Sequence, residues 1–188
     1  KEFFSYPKQV YLNGFWQSEK YFEPIKDILF NEFTLKEELN NENQDLVVRI
    51  KNANSVSLHI RRGDYVDNKQ ARAFHGTCSL EYYKEAINHL KKNSPGTSLY
   101  VFSDDVTWAK ANLRVDVPAH FVDMNNHGYV DMHLMSLCKH NIIANSSFSW
   151  WGAYLNQNPG KIVIAPKRWF ADPNNPTPDI YPKNCITV

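Results

Sequence analysis

From residue 56 to residue 164, short apolar runs alternate with amphipathic segments, and this alternation limits the possible folds more than any other feature of the chain. Val56-Ser57-Leu58-His59-Ile60 alternates as a half-buried strand does. A helix is predicted near 80–92, with Ser79 as candidate N-cap and Tyr83, Ile87 and Leu90 on one face. Asn93-Ser94-Pro95-Gly96 breaks it, and Leu99-Tyr100-Val101-Phe102 reads as the next strand. A short helix near 106–113 and an apolar run at Ala119–Val122 follow. Next come a helix near 129–139 with Val130, Leu134 and Leu137 in its stripe, a strand at 141–144, a helix at 149–156 and a strand at 162–164. Strict strand–helix alternation predicts an α/β domain with an open, mostly parallel sheet, because each helix carries the chain back to start a parallel strand. The Pro-rich tail, Pro166–Val188, is expected to wrap the surface without regular structure.

Residues 1–54 read as a helical connecting segment, and 55–188 as the sheet domain. Tyr11-Leu12-Asn13-Gly14-Phe15-Trp16 is an aromatic-rich turn. Phe22, Ile25, Ile28, Leu29 and Phe33 keep helical spacing, with Pro24 near the start where it is tolerated. Leu35, Leu39, Leu46 and Ile50 extend the pattern, interrupted by a polar loop or frayed turn at Asn40-Asn41-Glu42-Asn43.

In open parallel sheets, ligands gather beyond the carboxyl ends of the strands. The unusual polar stretches of this chain fall there. His59-Ile60-Arg61-Arg62-Gly63-Asp64 follows the first strand, Ser103-Asp104-Asp105 the second, Asp123-Met124-Asn125-Asn126 the third, and Asn145-Ser146-Ser147-Phe148-Ser149 the fourth. Arg61 and Arg62 leave a buried strand beside a Gly-Asp turn, and unpaired charge there is costly. Asp64 neutralises one arginine, which leaves a positive surplus suited to an anion, and the planar guanidinium fork fits phosphate.

Each stretch has a second reading. Ser146 and Ser147 open a helix, which suits either a phosphate or ordinary capping. Asp104 and Asp105 suit a base, a ribose or a metal, and equally an acidic helix start. His59 reads as a core histidine or a base contact, while Trp150, Trp151 and Tyr154 read as packing on the sheet.

Several classes are excluded. The 188 residues carry 21 Lys and Arg against 20 Asp and Glu, a net charge of +1, which is no footprint for nucleic acid or an anionic membrane. No apolar run approaches the roughly 20 residues that span a bilayer. Cys78, Cys138 and Cys185 have no CxxC spacing, and the default for them is reduced and buried. Neither a P-loop nor a G-x-G-x-x-G fingerprint occurs, and no His-Cys or His-Glu cluster has metal spacing. The residues therefore describe a metal-independent site for a nucleotide diphosphate. A rival class is an adhesion module, because cell-surface receptors bind the tripeptide Arg62-Gly63-Asp64; that role needs an exposed loop, whereas here the tripeptide abuts a strand.

His59-Ile60-Arg61-Arg62-Gly63-Asp64-Tyr65-Val66, Phe102-Ser103-Asp104-Asp105 and the block from Ile142 to Leu155 resemble signatures of the alpha-1,2-fucosyltransferases, glycosyltransferase family eleven. The segment from Leu12 to Phe22 resembles the part that precedes them in bacterial members. Members open with a GGLGNQ-like stretch that this sequence lacks, so the likeness is to the carboxyl-terminal, donor-binding portion. The resemblance implies one Rossmann-like half of a two-domain GT-B-type enzyme. It implies inverting transfer of L-fucose from GDP-β-L-fucose to the 2-hydroxyl of a galactose-containing acceptor, with no cofactor and no metal. A related transferase using another nucleotide sugar is the alternative.

Under the resemblance, Arg61 meets the β-phosphate, and Arg62 either assists or pairs with Asp64 to hold the turn. His59 and Asp104 or Asp105 meet guanine or ribose, Ser146 and Ser147 meet the pyrophosphate, and Ser103, Asn145 and Phe148 complete the donor site. The general base is Asp64 or a residue of the absent amino-terminal half. The face turned toward that half is expected to drive self-association. The sequon Asn145-Ser146-Ser147 falls in the phosphate loop, where a glycan would block it, so a cytoplasmic bacterial protein is expected, at most peripheral at the inner face of the membrane.

Overall fold

The computed structural model describes residues 9, 11, 13, 14, 16–124, 127–175, 177 and 179–188. Its six-stranded sheet comprises β1 (Asn54–Ile60), β2 (Thr97–Ser103), β3 (Ala119–Phe121), β4 (His140–Ile142), β5 (Val163–Ala165) and β6 (Ile186–Thr187). The strands lie in the order β3-β2-β1-β4-β5-β6, and every neighbouring pair is parallel. The chain winds from β1 out to β3, then returns to place β4 on the other flank of β1. The strand order therefore reverses between β1 and β4, and the connections that leave these two strands diverge and open a crevice at their carboxyl ends.

The helices are α1 (Lys26–Glu32), α2 (Asn41–Asn52), α3 (Gly63–Asp67), α4 (Lys69–His75), α5 (Leu80–Asn93), α6 (Val106–Asn112), α7 (Gly128–Leu137) and α8 (Ser147–Tyr154). Alternation along β1 sends Val56, Leu58 and Ile60 to one face, where α5 brings Tyr83, Ala86, Ile87 and Leu90. Ser79 caps α5 as its sequence suggests, its hydroxyl accepting from the Tyr82 amide at 3.2 Å. On the opposite face, Tyr100 and Phe102 pack against Leu46 and Ile50 of α2 and Leu134 and Met135 of α7. Burying each such side chain stabilises by roughly 1.5–3 kcal/mol, enough to override weak local propensities. A third cluster joins Ile143 and β5 to Trp150, Ala153 and Tyr154 of α8.

Asparagine and serine side chains buried on the sheet pair with one another. Asn141 donates to the Ser57 hydroxyl at 2.7 Å and accepts from Asn156 at 2.8 Å, which fixes β1, β4 and the end of α8 together.

Some expectations are corrected. Asn40 to Asn43 is no loop: the Asn40 side chain accepts from the Asn43 amide at 2.9 Å and caps α2, a cap strong enough to start a helix on asparagines. Gly63-Asp64 opens the short α3, where Asp64 complements the helix dipole. α8 begins at Ser147. The tail is not wholly irregular, since Ile186 and Thr187 pair with Ile164 and Ala165 and cover the β5 edge. Ile25, Ile28 and Phe33 of the α1 region stay exposed, so helical spacing there did not signal burial against the sheet. Cys138 is buried, while Cys78 and Cys185 are half-buried thiols.

Candidate functional site

The parallel register sets the site. Ile60 pairs with Ser103, so the chain leaving β1 as Arg61-Arg62 runs beside the chain leaving β2 as Asp104-Asp105. Arg61 bonds Asp64 Oδ1 at 2.7 Å and Asp104 Oδ2 at 3.1 Å, with its guanidinium 5.4 Å from the Tyr65 ring centre. Arg62 donates its backbone N–H to Asp104 Oδ1 at 2.8 Å and its Nε–H to Asp105 Oδ2 at 3.3 Å, and its guanidinium lies 3.7 Å from the Trp108 ring centre. Asp105 also caps α6 through the Trp108 amide at 3.0 Å, and its own amide donates to Ser103 Oγ at 3.0 Å.

Two expectations change. Arg61, not Arg62, pairs with Asp64. The local surplus is negative rather than positive, because two guanidinium groups face three carboxylates once β2 delivers Asp104 and Asp105. The two arginines are also unequal. Arg62 is clamped between Asp105 and Trp108, whereas one of the partners of Arg61, Asp64, has a side chain that is 54% exposed. An ion pair that exposed is worth little, so an incoming anion can exchange with it.

Gly63 fits this packing closely. A Cβ there would lie 2.6 Å from Asp104 Oδ2, the carboxylate that both arginines hold.

His59 is 3% exposed, and its ring lies 5.3 Å from that of Phe148 on the first turn of α8. Burial, then the charge of Arg61, lowers its pKa to about 3, so the imidazole is neutral. Its Nδ1 is buried with no hydrogen-bond partner. His59 thus sits as a core residue with one unsatisfied nitrogen.

At the end of β4, Ser146 occupies the N-cap position of α8 without a side-chain cap bond. Ser149 Oγ instead accepts from the Ala144 amide at 3.1 Å, while Ser147 is exposed. Ordinary capping therefore does not account for the Ser146 hydroxyl.

Asn145, expected among the donor contacts, uses its amide within the chain. It donates to the carbonyls of His75 at 2.9 Å, Gly76 at 3.3 Å and Trp169 at 3.0 Å, and accepts from Cys78 Sγ at 3.4 Å. Burial raises the Cys78 pKa to about 11, which keeps the thiol a donor. Asn145 is a fastener that draws two segments, residues 75–78 and the chain at Trp169, onto the end of β4. Phe148 is half-buried beneath His59, with Gly128 against its ring. Asp123 pairs with Lys110, and Asn125 and Asn126 lie outside the described residues.

Tyr65 and His75 were not anticipated. Their rings stack at 4.5 Å and 2°, and the Tyr65 hydroxyl reaches the Asn145 carbonyl at 3.4 Å. Tyr65 therefore links the Arg61 cluster to the β4 loop. Burial, opposed by Asp64 and aided by Arg61, lowers the His75 pKa. Only the place of Tyr65 directly after Arg61-Arg62-Gly63-Asp64 hinted at this; His75 carried no local signal.

Among the described residues, no group of three or more His, Cys, Asp or Glu side chains is placed to hold a metal ion. No described helix is long and apolar enough to cross a membrane.

The family model for glycosyl transferase family 11 matches residues 1–188. The chain is 42% identical over 170 residues to the O-antigen biosynthesis glycosyltransferase WbnK of Escherichia coli, covering 87% of this chain and 56% of that protein. It is 44% identical over 161 residues to an alpha-1,2-colitosyltransferase of Escherichia coli, covering 84% and 55%. Identity to galactoside alpha-(1,2)-fucosyltransferase 1 of Saimiri sciureus is 27% over 154 residues, covering 77% and 42%. The chain thus spans about half the length of these relatives.

Proposed function

The chain belongs to glycosyl transferase family 11, and from that premise we propose that it forms the nucleotide-sugar-binding half of a two-domain, GT-B-type inverting transferase. In this reading the enzyme moves L-fucose from GDP-β-L-fucose to the 2-hydroxyl of a galactose-type acceptor. The observation that carries it is Arg61, which stands where the strand order reverses and holds an exposed, exchangeable carboxylate partner. Asp64 occupies the place of an anionic ligand on that guanidinium, and the β-phosphate of the donor replaces it there.

The acceptor oxygen attacks the anomeric carbon as the bond from that carbon to the phosphate oxygen breaks, and GDP leaves with the bonding electrons. Charge grows on the β-phosphate during this step, so a fixed guanidinium stabilises the transition state more than the ground state. Asp64, released from Arg61 by the phosphate, is the base within this chain that takes the acceptor's proton. Ser146 and Ser147 hold the pyrophosphate at the start of α8. Asp105 keeps lone pairs for the ribose or base, and Asp104 positions both arginines. Arg61, freed from Asp64, supplies the positive charge at the β-phosphate, so the reaction in this reading needs no metal.

A second reading keeps α-1,2 transfer but changes the sugar to colitose, and the 44% identity to a colitosyltransferase favours it. Both readings suit a cytoplasmic bacterial enzyme, at most peripheral at the inner face of the membrane, and the buried, engaged Asn145 amide suits an unglycosylated chain. Calorimetry of this chain with GDP and UDP tests the proposal. Weak binding of GDP and weaker binding of UDP is expected; no binding of GDP refutes it.

A further inference from the structure

Past β4, on the same carboxyl edge of the sheet, the chain forms an aromatic cleft of about 430 Å³ that shares only Ser147 with the donor site above. That volume lies in the range of small-ligand sites, roughly 300–1,000 Å³. Trp16, Trp150, Trp151 and Trp169 wall it, so four of the chain's five tryptophans meet there. Gln17, Ser18 and Ser147 supply its polar atoms, and no ionisable side chain lines it among the described residues.

The walls are held in place. The Trp150 indole N–H donates to the Ile180 carbonyl at 2.7 Å, and its ring stacks on Tyr154 at 5.1 Å. Trp151 is sandwiched between Phe22 at 5.4 Å and Phe33 at 4.9 Å. Trp16 is 40% exposed and takes φ 50°, a left-handed conformation that bulky residues seldom adopt. Strain of this kind costs on the order of 1–3 kcal/mol and clusters where a side chain is held for binding.

We propose that this cleft binds a neutral pyranose ring, with its C–H face against the exposed Trp16 indole and its hydroxyls on Gln17, Ser18 and Ser147. A phosphate needs cationic donors, which the lining lacks. A wholly apolar ligand would leave the amide and hydroxyl groups unpaired. A sugar ring combines an apolar face with a polar rim, and so matches both parts of the lining.

Ser147 belongs both to the cleft and to the start of α8, which puts the ring next to the diphosphate. Two sources offer such a ring, the sugar of the donor or a galactoside acceptor, and this part alone rests on the function proposed above.

The test titrates this chain with GDP, GDP-fucose and methyl β-galactoside, read by tryptophan fluorescence and calorimetry, alongside Trp16→Ala. Trp16→Ala is expected to leave the affinity for GDP unchanged and to weaken the pyranose-bearing ligand roughly 2- to 10-fold, the scale of one aromatic contact. If the donor supplies the ring, GDP-fucose binds more tightly than GDP and the variant erases that advantage. If the acceptor supplies it, the galactoside binds without nucleotide and weakens in the variant. Galactoside binding through Trp16 with no binding of GDP would keep the cleft and remove the donor reading. Should Trp16→Ala fail to fold, Gln17→Ala, at an exposed position, carries the same comparison. Sugar affinities that neither variant alters, or no pyranose binding at all, overturn the proposal.

Discussion

Replacing each arginine by lysine in turn should separate the two roles. Arg61→Lys keeps the charge but loses the fork that spans Asp64 at 2.7 Å and Asp104 at 3.1 Å. Under the proposed function, that removes one donor from the leaving phosphate of the whole transferase, expected to slow transfer by about 100-fold, or roughly 2.7 kcal/mol. Its effect on stability should be small, because Asp64 is half exposed. Arg62→Lys loses the planar contact with Trp108 at 3.7 Å, worth about 0.5–2 kcal/mol, and weakens a partly exposed pair with Asp105 worth at most about 1 kcal/mol. A loss of about 1–2 kcal/mol in a domain of this size lowers the melting temperature by roughly 2–8 °C. The assay pairs thermal melts of both variants with transfer at saturating donor. If Arg62→Lys melts as the parent does while Arg61→Lys turns over normally, the assignment of strut and phosphate ligand is wrong.

Gly63→Ala should displace Asp104, since the new Cβ would stand 2.6 Å from its Oδ2; overpacking costs about 1–3 kcal/mol, and affinity for GDP should fall with the melting temperature. Unchanged GDP calorimetry with this variant would show that the Asp104 pairing does not shape the site. Treating the full-length enzyme with EDTA should leave transfer unaltered, and activity that disappears and returns with Mn²⁺ would make Asp104 and Asp105 metal ligands instead. His59 titrates at about 3 when folded, against 6.5 for the ordinary group. The unfolded chain therefore binds the extra proton between those values, so this part of the stability is complete above pH 6.5 and falls toward pH 3, by up to about 1.4 kcal/mol per unit. Urea unfolding at pH 7, 6 and 5 should show a shallower decline in His59→Asn than in the parent; parallel declines would remove His59 from the effect.

The sequence by itself determined the sheet. Residues such as Val56, Leu58, Ile60, Ile87 and Leu90 carry their burial pattern locally, with period two on the strand and a three-to-four spacing on the helix. That pattern was enough to give strict alternation and parallel strands, and hence to put Arg61, Asp104 and Ser146 at one edge. Short elements escaped it. Two paired residues of β6 show no period, and α3 starts on a glycine in five residues that also read as a turn. Asn40 to Asn43 misled because asparagine favours both loops and caps, and only the bond from the Asn43 amide decides between them.

The tertiary structure alone decided how the site is wired. Arg62 meets Asp105 from 43 positions away, and nothing local to Arg61-Arg62 tells which arginine will be clamped. Strand order and register bring three carboxylates to two guanidinium groups, and thereby invert the charge expected from Asp64 alone. Asn145 likewise looked like a ligand contact until the carbonyls of His75, Gly76 and Trp169 converged on its amide. Burial patterns are written in neighbouring residues because a strand or helix presents its own faces. Partnerships between polar groups depend on which loops meet in space, and the packed chain fixes that.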